Sequence, residues 1–205
     1  HKKGDRDLRS ATHRVAARVD TDSPETLLRR LSGHLDSLGA GPRDRPARQQ
    51  TVRGAIDWSY TLLDPSEQRL FVTLAVFVGG FSQDAVQAVY DGPEVAERLG
   101  VLASKSLLIV EPDTDGAPRY QMLETIRSFA VERLTAEPEP DRDAVHRRHA
   151  AFHVELAEQS TQGMTGPLQA QWAERLEREY GNLRAAFTWA MADGDVDSAA
   201  RISLG

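Results

Sequence analysis

Apolar residues recur along most of this chain at helical spacing, and the breaks in that pattern divide it into segments. A first helix is expected from about Leu8 to Val19. A clearer one follows, with Ser23 as cap, Pro24 in the first helical position and a stripe of Leu27, Leu28, Leu31, Leu35 and Leu38 that Gly39 and Gly41-Pro42 terminate. After a Pro- and Arg-rich linker, the spacing predicts a helix over 51–63 with Val52, Ala55, Ile56, Ser59 and Leu63 inward. Asp64-Pro65-Ser66-Glu67 is the strongest helix start in the chain, combining a capping aspartate, a proline at the first position and a glutamate three residues after the cap. Leu70, Phe71, Leu74 and Phe77 form the buried face of that helix, and Gly79-Gly80 is expected to end it. Ser82 then caps a short helix to Tyr90, and Pro93 begins another to about Lys105.

Beyond Lys105 the pattern changes. Leu107–Val110 and Arg119–Leu123 read as short strands joined by a loop with Asp115-Gly116 at its tip. At Glu124-Thr125 the chain turns into an amphipathic helix whose Ile126, Phe129, Ala130 and Leu134 share a face. Helices, a hairpin and one more helix describe a winged helix. After Pro138 and Pro140 only helices are predicted: 142–159 (Val145, His149, Phe152, Leu156 inward), 168–180 (Leu168, Trp172, Leu176) and 181–192 (Leu183, Ala186, Phe187, Ala190). A last helix begins near Asp197. Paired helices with small residues at the crossings suggest a tetratricopeptide-like array, which needs about three repeats for stability. With barely two units, and starting at His1, the chain is expected to be a piece of a longer protein. Trp58, Trp172 and Trp189 fall on helical patterns and read as core. The fold class is therefore mainly α, a winged-helix domain with a small β-hairpin followed by tetratricopeptide-like helical hairpins.

Several ordered motifs carry a family resemblance. Met122-Leu-Glu-Thr-Ile-Arg127 resembles the methionine-histidine-aspartate motif of the NB-ARC signalling ATPases, the STAND class. Arg48-Gln-Gln-Thr51, Ala55-Ile-Asp-Trp-Ser-Tyr60, Val76-Phe-Val-Gly-Gly-Phe81 and Lys105-Ser-Leu-Leu108 are similar to the winged-helix segment of large bacterial transcriptional regulators of the LuxR and SARP types. Those proteins couple an NB-ARC ATPase to a helical repeat array. Glu179-Tyr-Gly-Asn-Leu-Arg-Ala-Ala186 resembles the start of that array, and Val15-Ala-Ala-Arg-Val19 the closing helix of the ATPase-attached domain. The Gly-Leu-Pro-Leu motif expected before that helix is absent. The resemblance implies three parts: a helical remnant and linker over 1–50, a winged-helix domain over 51–138, and the start of the array over 139–205.

By the same resemblance the chain is a non-catalytic module coupling ATPase to sensor. Its partners are its own NB-ARC domain, the remaining helical repeats and possible further proteins. No cofactor is expected in this chain; ATP or ADP is expected only in the ATPase domain. In the relatives the motif histidine reaches the β-phosphate of ADP, but Leu123 stands in its place here and can neither donate a hydrogen bond nor carry charge. Met122, Leu123, Glu124 and Arg127 are therefore read as an interdomain, regulatory group. Met122 and Leu123 are expected to pack on the core as strand residues, and Glu124 to cap the next helix at its positive end. Arg127 is the candidate interdomain partner.

Composition narrows the function classes. The chain is 40% hydrophobic and 27% charged, without a run of membrane-spanning length or a signal-peptide pattern. The absence of cysteine removes disulfide and thiolate chemistry and fits a cytoplasmic protein. The net charge of −6 is uneven, since twelve Lys or Arg against seven acids over 1–53 leave +5 there and −11 beyond. No aromatic platform accompanies those arginines, which read as a solvated helical face. Over 93–118, the presumptive recognition helix and wing, five acids face only Arg98 and Lys105, a balance of −3 that argues against phosphate contact and so against direct DNA binding. A DNA-binding winged helix and a stand-alone interaction adaptor are the alternative functions. No Gly-x-x-x-x-Gly-Lys-Ser/Thr phosphate cradle and no Ser-His-Asp pattern occur, so no catalytic residue is assigned and no enzyme is expected. His146, His149 and His153 share a helix face, but Arg147 and Arg148 oppose a cation there and no fourth ligand joins them. They read as structural histidines, with no metal site.

Overall fold

The computed structural model describes residues 47–113 and 116–204. The helices expected over 8–19 and 23–38, and Asp115 at the wing tip, lie outside the described residues. Of the described residues, 47–57 belong to one unit and those from Trp58 onward to a second, compact one. Helix α1 (Ala47–Thr61) turns into α2 (Pro65–Thr73) at the predicted start signal. There Asp64 Oδ1 accepts from the amides of Ser66 (2.7 Å) and Glu67 (2.8 Å), and Glu67 Oε2 accepts from the Asp64 amide at 2.9 Å. Gln68 donates to the carbonyls of Tyr60 (3.1 Å) and Leu63 (3.2 Å), pinning the corner between the two helices.

Leu70, Phe71, Leu74 and Phe77 are all buried, as their spacing predicts. The helix nevertheless stops at Thr73 rather than Gly79; Leu74–Val76 tightens into a 3₁₀ turn and Phe77 is extended. Val72, Thr73, Val76 and Val78 are β-branched and weaken helix there. Leaving the helix also brings the Phe77 ring to 4.8 Å from that of Phe81.

The chain continues through β1 (Gly80–Ser82), α3 (Gln83–Val89), α4 (Val95–Ser104), β2 (Ile109–Pro112), β3 (Pro118–Gln121) and α5 (Glu124–Ala136), the element order of a winged helix. The sequence reading lacked β1, because three residues are too short to show alternation. They become a strand only through β3, which lies at the centre of the sheet (order β1-β3-β2) and pairs Tyr120 opposite both Phe81 and Val110. The end of α4 is closed by the Leu107 amide on Leu102 O (3.0 Å) and the Ser106 amide on Ala103 O (2.9 Å). Ser106 has φ +59, at a position where glycine is usual.

Three helices complete the unit: α6 (Glu139–Gly163), α7 (Gln169–Asp193) and α8 (Val196–Leu204). Helix α6 packs on α3, and Arg148 Nε donates to Val89 O at 2.6 Å. The two helices expected over 168–180 and 181–192 are one continuous α7, so Gly181 does not break it. Helices α6 and α7 run antiparallel, with His153 beside Glu179 and His146 stacked on Trp189. At 25 residues each they make a hairpin much longer than the roughly 34-residue tetratricopeptide unit. Val52 (38% exposed), Trp58 (58%) and Leu168 (51%), expected in the core, are outward. Trp58 loses the core side to Tyr60, whose ring lies between Phe71 (5.4 Å) and Phe129 (5.6 Å). Trp172 and Trp189 are half-buried on α7. No helix among the described residues is long and apolar enough to cross a membrane.

Candidate functional site

The polar residues that the fold buries converge where α7 crosses the Val78–Gly80 turn. Glu179 and Asn182, three apart, share the buried face of α7 with Ala186 and Ala190. Asn182 Oδ1 accepts from the Val78 amide (2.7 Å), and its Nδ2 donates to Gly80 O (2.9 Å) and Glu179 Oε2 (2.6 Å). From β3, Arg119 donates to Glu179 Oε1 (2.7 Å), Gly80 O (2.8 Å) and Arg178 O (3.3 Å). Arg178 in turn pairs with Asp113 at the base of the wing loop. One helix thus holds the turn before β1, the central strand and the wing.

Glycine makes this approach possible. A Cβ on Gly181 would stand 2.5 Å from Val78 O, and one on Gly80 would stand 2.7 Å from Arg119 Nε. Gly181→Ala in an exposed helix would add about 1 kcal/mol of stability. Here it is expected to remove about 1–3 kcal/mol, since a backbone atom blocks the methyl. Chemical denaturation of the variant decides the sign, and a raised midpoint would mean that α7 does not sit this close.

The seat is electrostatically closed. Burial pushes the Glu179 carboxyl upward, but His153, Arg119 and Asn182 outweigh it and hold the group down at about 2. His153 Nε2 stands 3.7 Å from Glu179 Oε2. His149 is buried against Phe77, with ring centroids 5.1 Å apart. Among the described residues no three metal-ligating side chains stand close enough to hold an ion.

The four residues singled out by resemblance gather elsewhere, at the N-terminal end of α5. Met122 is buried, but β3 ends at Gln121, and Leu123 lies 50% exposed rather than on the core. Leu123, not Glu124, is the capping residue, and no side-chain capping bond forms. Glu124 instead pairs with Arg127 (3.1 and 3.2 Å), whose guanidinium also reaches Ala75 O at 3.3 Å. Within the unit Arg127 therefore ties α5 to the 3₁₀ turn. Sequence reasoning missed Arg119, Asn182 and His153 as members of a site. The available signal was two polar residues, Glu179 and Asn182, on the same helix face as Ala186 and Ala190 with a glycine between them.

The presumptive recognition helix, α4, turns its cations inward. Arg98 is spent on Pro93 O (3.1 Å), Glu94 (3.1 Å) and Asp64 (3.7 Å), and Lys105 donates to Leu62 O at 3.2 Å. Its exposed positions are Ala96, Glu97, Gly100 and Ser104.

Residues 63–135 match the winged helix-turn-helix domain family. Over 194 residues the chain is 39% identical to the "Putative HTH-type transcriptional regulator Rv0890c" of Mycobacterium tuberculosis, and equally to its Mycobacterium bovis counterpart Mb0914c. The match takes in 92% of this chain and 21% of the relative, so the chain spans about a fifth of those regulators. It is also 32% identical over 142 residues to the "Uncharacterized protein Rv0894" of Mycobacterium tuberculosis, covering 66% of this chain and 36% of that one. No solved structure matches. The winged helix and homology to regulators of this kind stand on these findings together with the fold.

Proposed function

We propose that this chain is a non-catalytic joint within a transcriptional regulator, in which the winged helix serves as a protein-docking unit between an NB-ARC ATPase and a helical sensor array. The carrying observation is the seat. Through Arg119–Glu179, Asp113–Arg178 and Asn182, helix α7 grips the wing and the turn beneath it, so that a displacement of the helices would be delivered to the winged helix. Chemistry plays no part in such a role, which works by changing which surfaces pack. Met122, Leu123, Glu124 and Arg127 belong to this proposal as the corner facing the ATPase, with Leu123 as its exposed apolar contact. A nucleotide would be bound by the ATPase and not by this chain.

Direct DNA reading is the second hypothesis, and the helix-turn-helix match favours it. A docking helix must present positive charge to phosphates, because that term dominates affinity. Arg98 on α4 and Lys105, which caps its end, are both committed to carbonyls and carboxylates of the fold, and the outward face carries Glu97. Salt-titrated binding to duplex DNA separates the two. The expected result is no sequence-preferring complex at physiological salt, and weak low-salt binding that disappears when residues 1–48, where positive charge is concentrated, are deleted. A specific complex that survives both the deletion and physiological salt would replace the joint with a DNA-binding module.

A further inference from the structure

Beneath the seat lie two imidazoles that the coupling role leaves unused. His149 and His153, one turn apart on α6, are 2% and 0% exposed, with ring centroids 4.3 Å apart. His153 Nδ1 is 2.7 Å from the His149 carbonyl. A carbonyl only accepts, so Nδ1 carries a proton, and Nε2 faces Glu179 Oε2, 3.7 Å away. Neither His153 Nε2 nor His149 Nε2 has a hydrogen-bond partner. Asn182 cannot donate to them, because both of its amide hydrogens are directed at Gly80 O and Glu179 Oε2. What Asn182 can offer is Oδ1, already the acceptor for the Val78 amide. The groups facing the pair are His146 on α6, Glu179 and Asn182 on α7, Arg119 from β3 through Glu179, and the uncharged Phe77 ring.

We propose that this imidazole pair makes the seat acid-labile, so that protonating His149 in mild acid draws Asn182 Oδ1 away from Val78 and loosens α7 from β1 and the wing. Asn182 is the side chain that favours a proton on His149, and its acceptor atom, Oδ1, is the atom that anchors α7 to Val78. Burial above all, then the neighbouring His153 and His146, hold His149 well below the ordinary histidine range, while Asn182 opposes them. A loosened seat exposes the ring and restores its ordinary affinity for protons. Stability from the neutral ring is therefore fully present above about pH 6.5 and is lost as pH falls below it. Glu179 titrates separately and lower, toward about 2, so the two effects fall in different windows.

The test uses the full chain. Between about pH 7.5 and about pH 5.5, NMR follows the His149 ring, the Asn182 side-chain amide and the backbone amides of Val78 and Gly181. In parallel, protease cleavage of the α6–α7 connection is measured, normalised at each pH to an unstructured peptide carrying the same site. Protonation of His149 is expected to move the Asn182 and Val78 signals together, and cleavage to rise roughly tenfold, the change that one pH unit of proton linkage supplies. His149→Leu, apolar and similar in size, should hold cleavage pH-independent. Persistence of the pH response in His149→Leu would overturn the proposal. Should that variant not fold, the wild-type titration decides alone: Val78 and Asn182 signals that stay fixed to about pH 5.5, or that move without the His149 ring, refute it equally.

Discussion

Glu179→Ala is expected to lower stability by about 3–5 kcal/mol, measured as a fall in denaturant midpoint at unchanged slope. The size follows from what is left behind. Arg119 and Glu179 side chains are only 15% and 7% exposed, so deleting the carboxylate strands a guanidinium in a dry site and removes an acceptor of Asn182. Glu179→Gln should cost less, since an amide oxygen still accepts from one of them. The pH dependence gives a second reading. Glu179 is depressed in the folded chain, so its contribution is present above the ordinary carboxylate range and is lost as pH falls from about 4.5 toward about 2. Wild type and Glu179→Ala should converge across that window. A loss below about 1 kcal/mol, as for exposed ion pairs, would mean that the seat contributes little to holding the unit together.

Phe71→Ala should be comparably damaging, by about 3–5 kcal/mol, for a different reason. Phe71 is fully inaccessible, and its ring lies 5.4 Å from Tyr60 and 6.2 Å from Phe129. Truncation leaves a cavity between three helices that cannot collapse without moving α2 against α5. Phe129→Ala should cost a similar amount, and the double variant should depart from additivity by about 0.5–3 kcal/mol because the rings share one cluster. Two near-neutral variants, or strict additivity, would place the rings in separate environments.

These two sites differ in how legible they were. Phe71 and Phe129 declare themselves by helical spacing within their own segments, and the Asp64 capping box by four consecutive residues. The mainly α, winged-helix reading rests on such local signals. Glu179 and Asn182 carry no comparable local signal. Polar residues on a helix look solvated until a partner element is known, and theirs are Arg119 and a three-residue strand, some 60 to 100 positions away in sequence. Gly181 is illegible for the same reason: the pattern starts a second helix there, whereas it supplies the clearance that a continuous α7 needs over Val78.

By itself the sequence determined the helix starts, the hairpin and most of the apolar core of the winged helix, because capping and burial periodicity act over a few residues. Only the tertiary structure decided that Phe77 leaves its helix, that β1 exists, that α7 is continuous, and that four buried polar side chains meet under it. Each of these depends on a partner far along the chain, and burial of a polar group is tolerable only where that partner completes its hydrogen bonds.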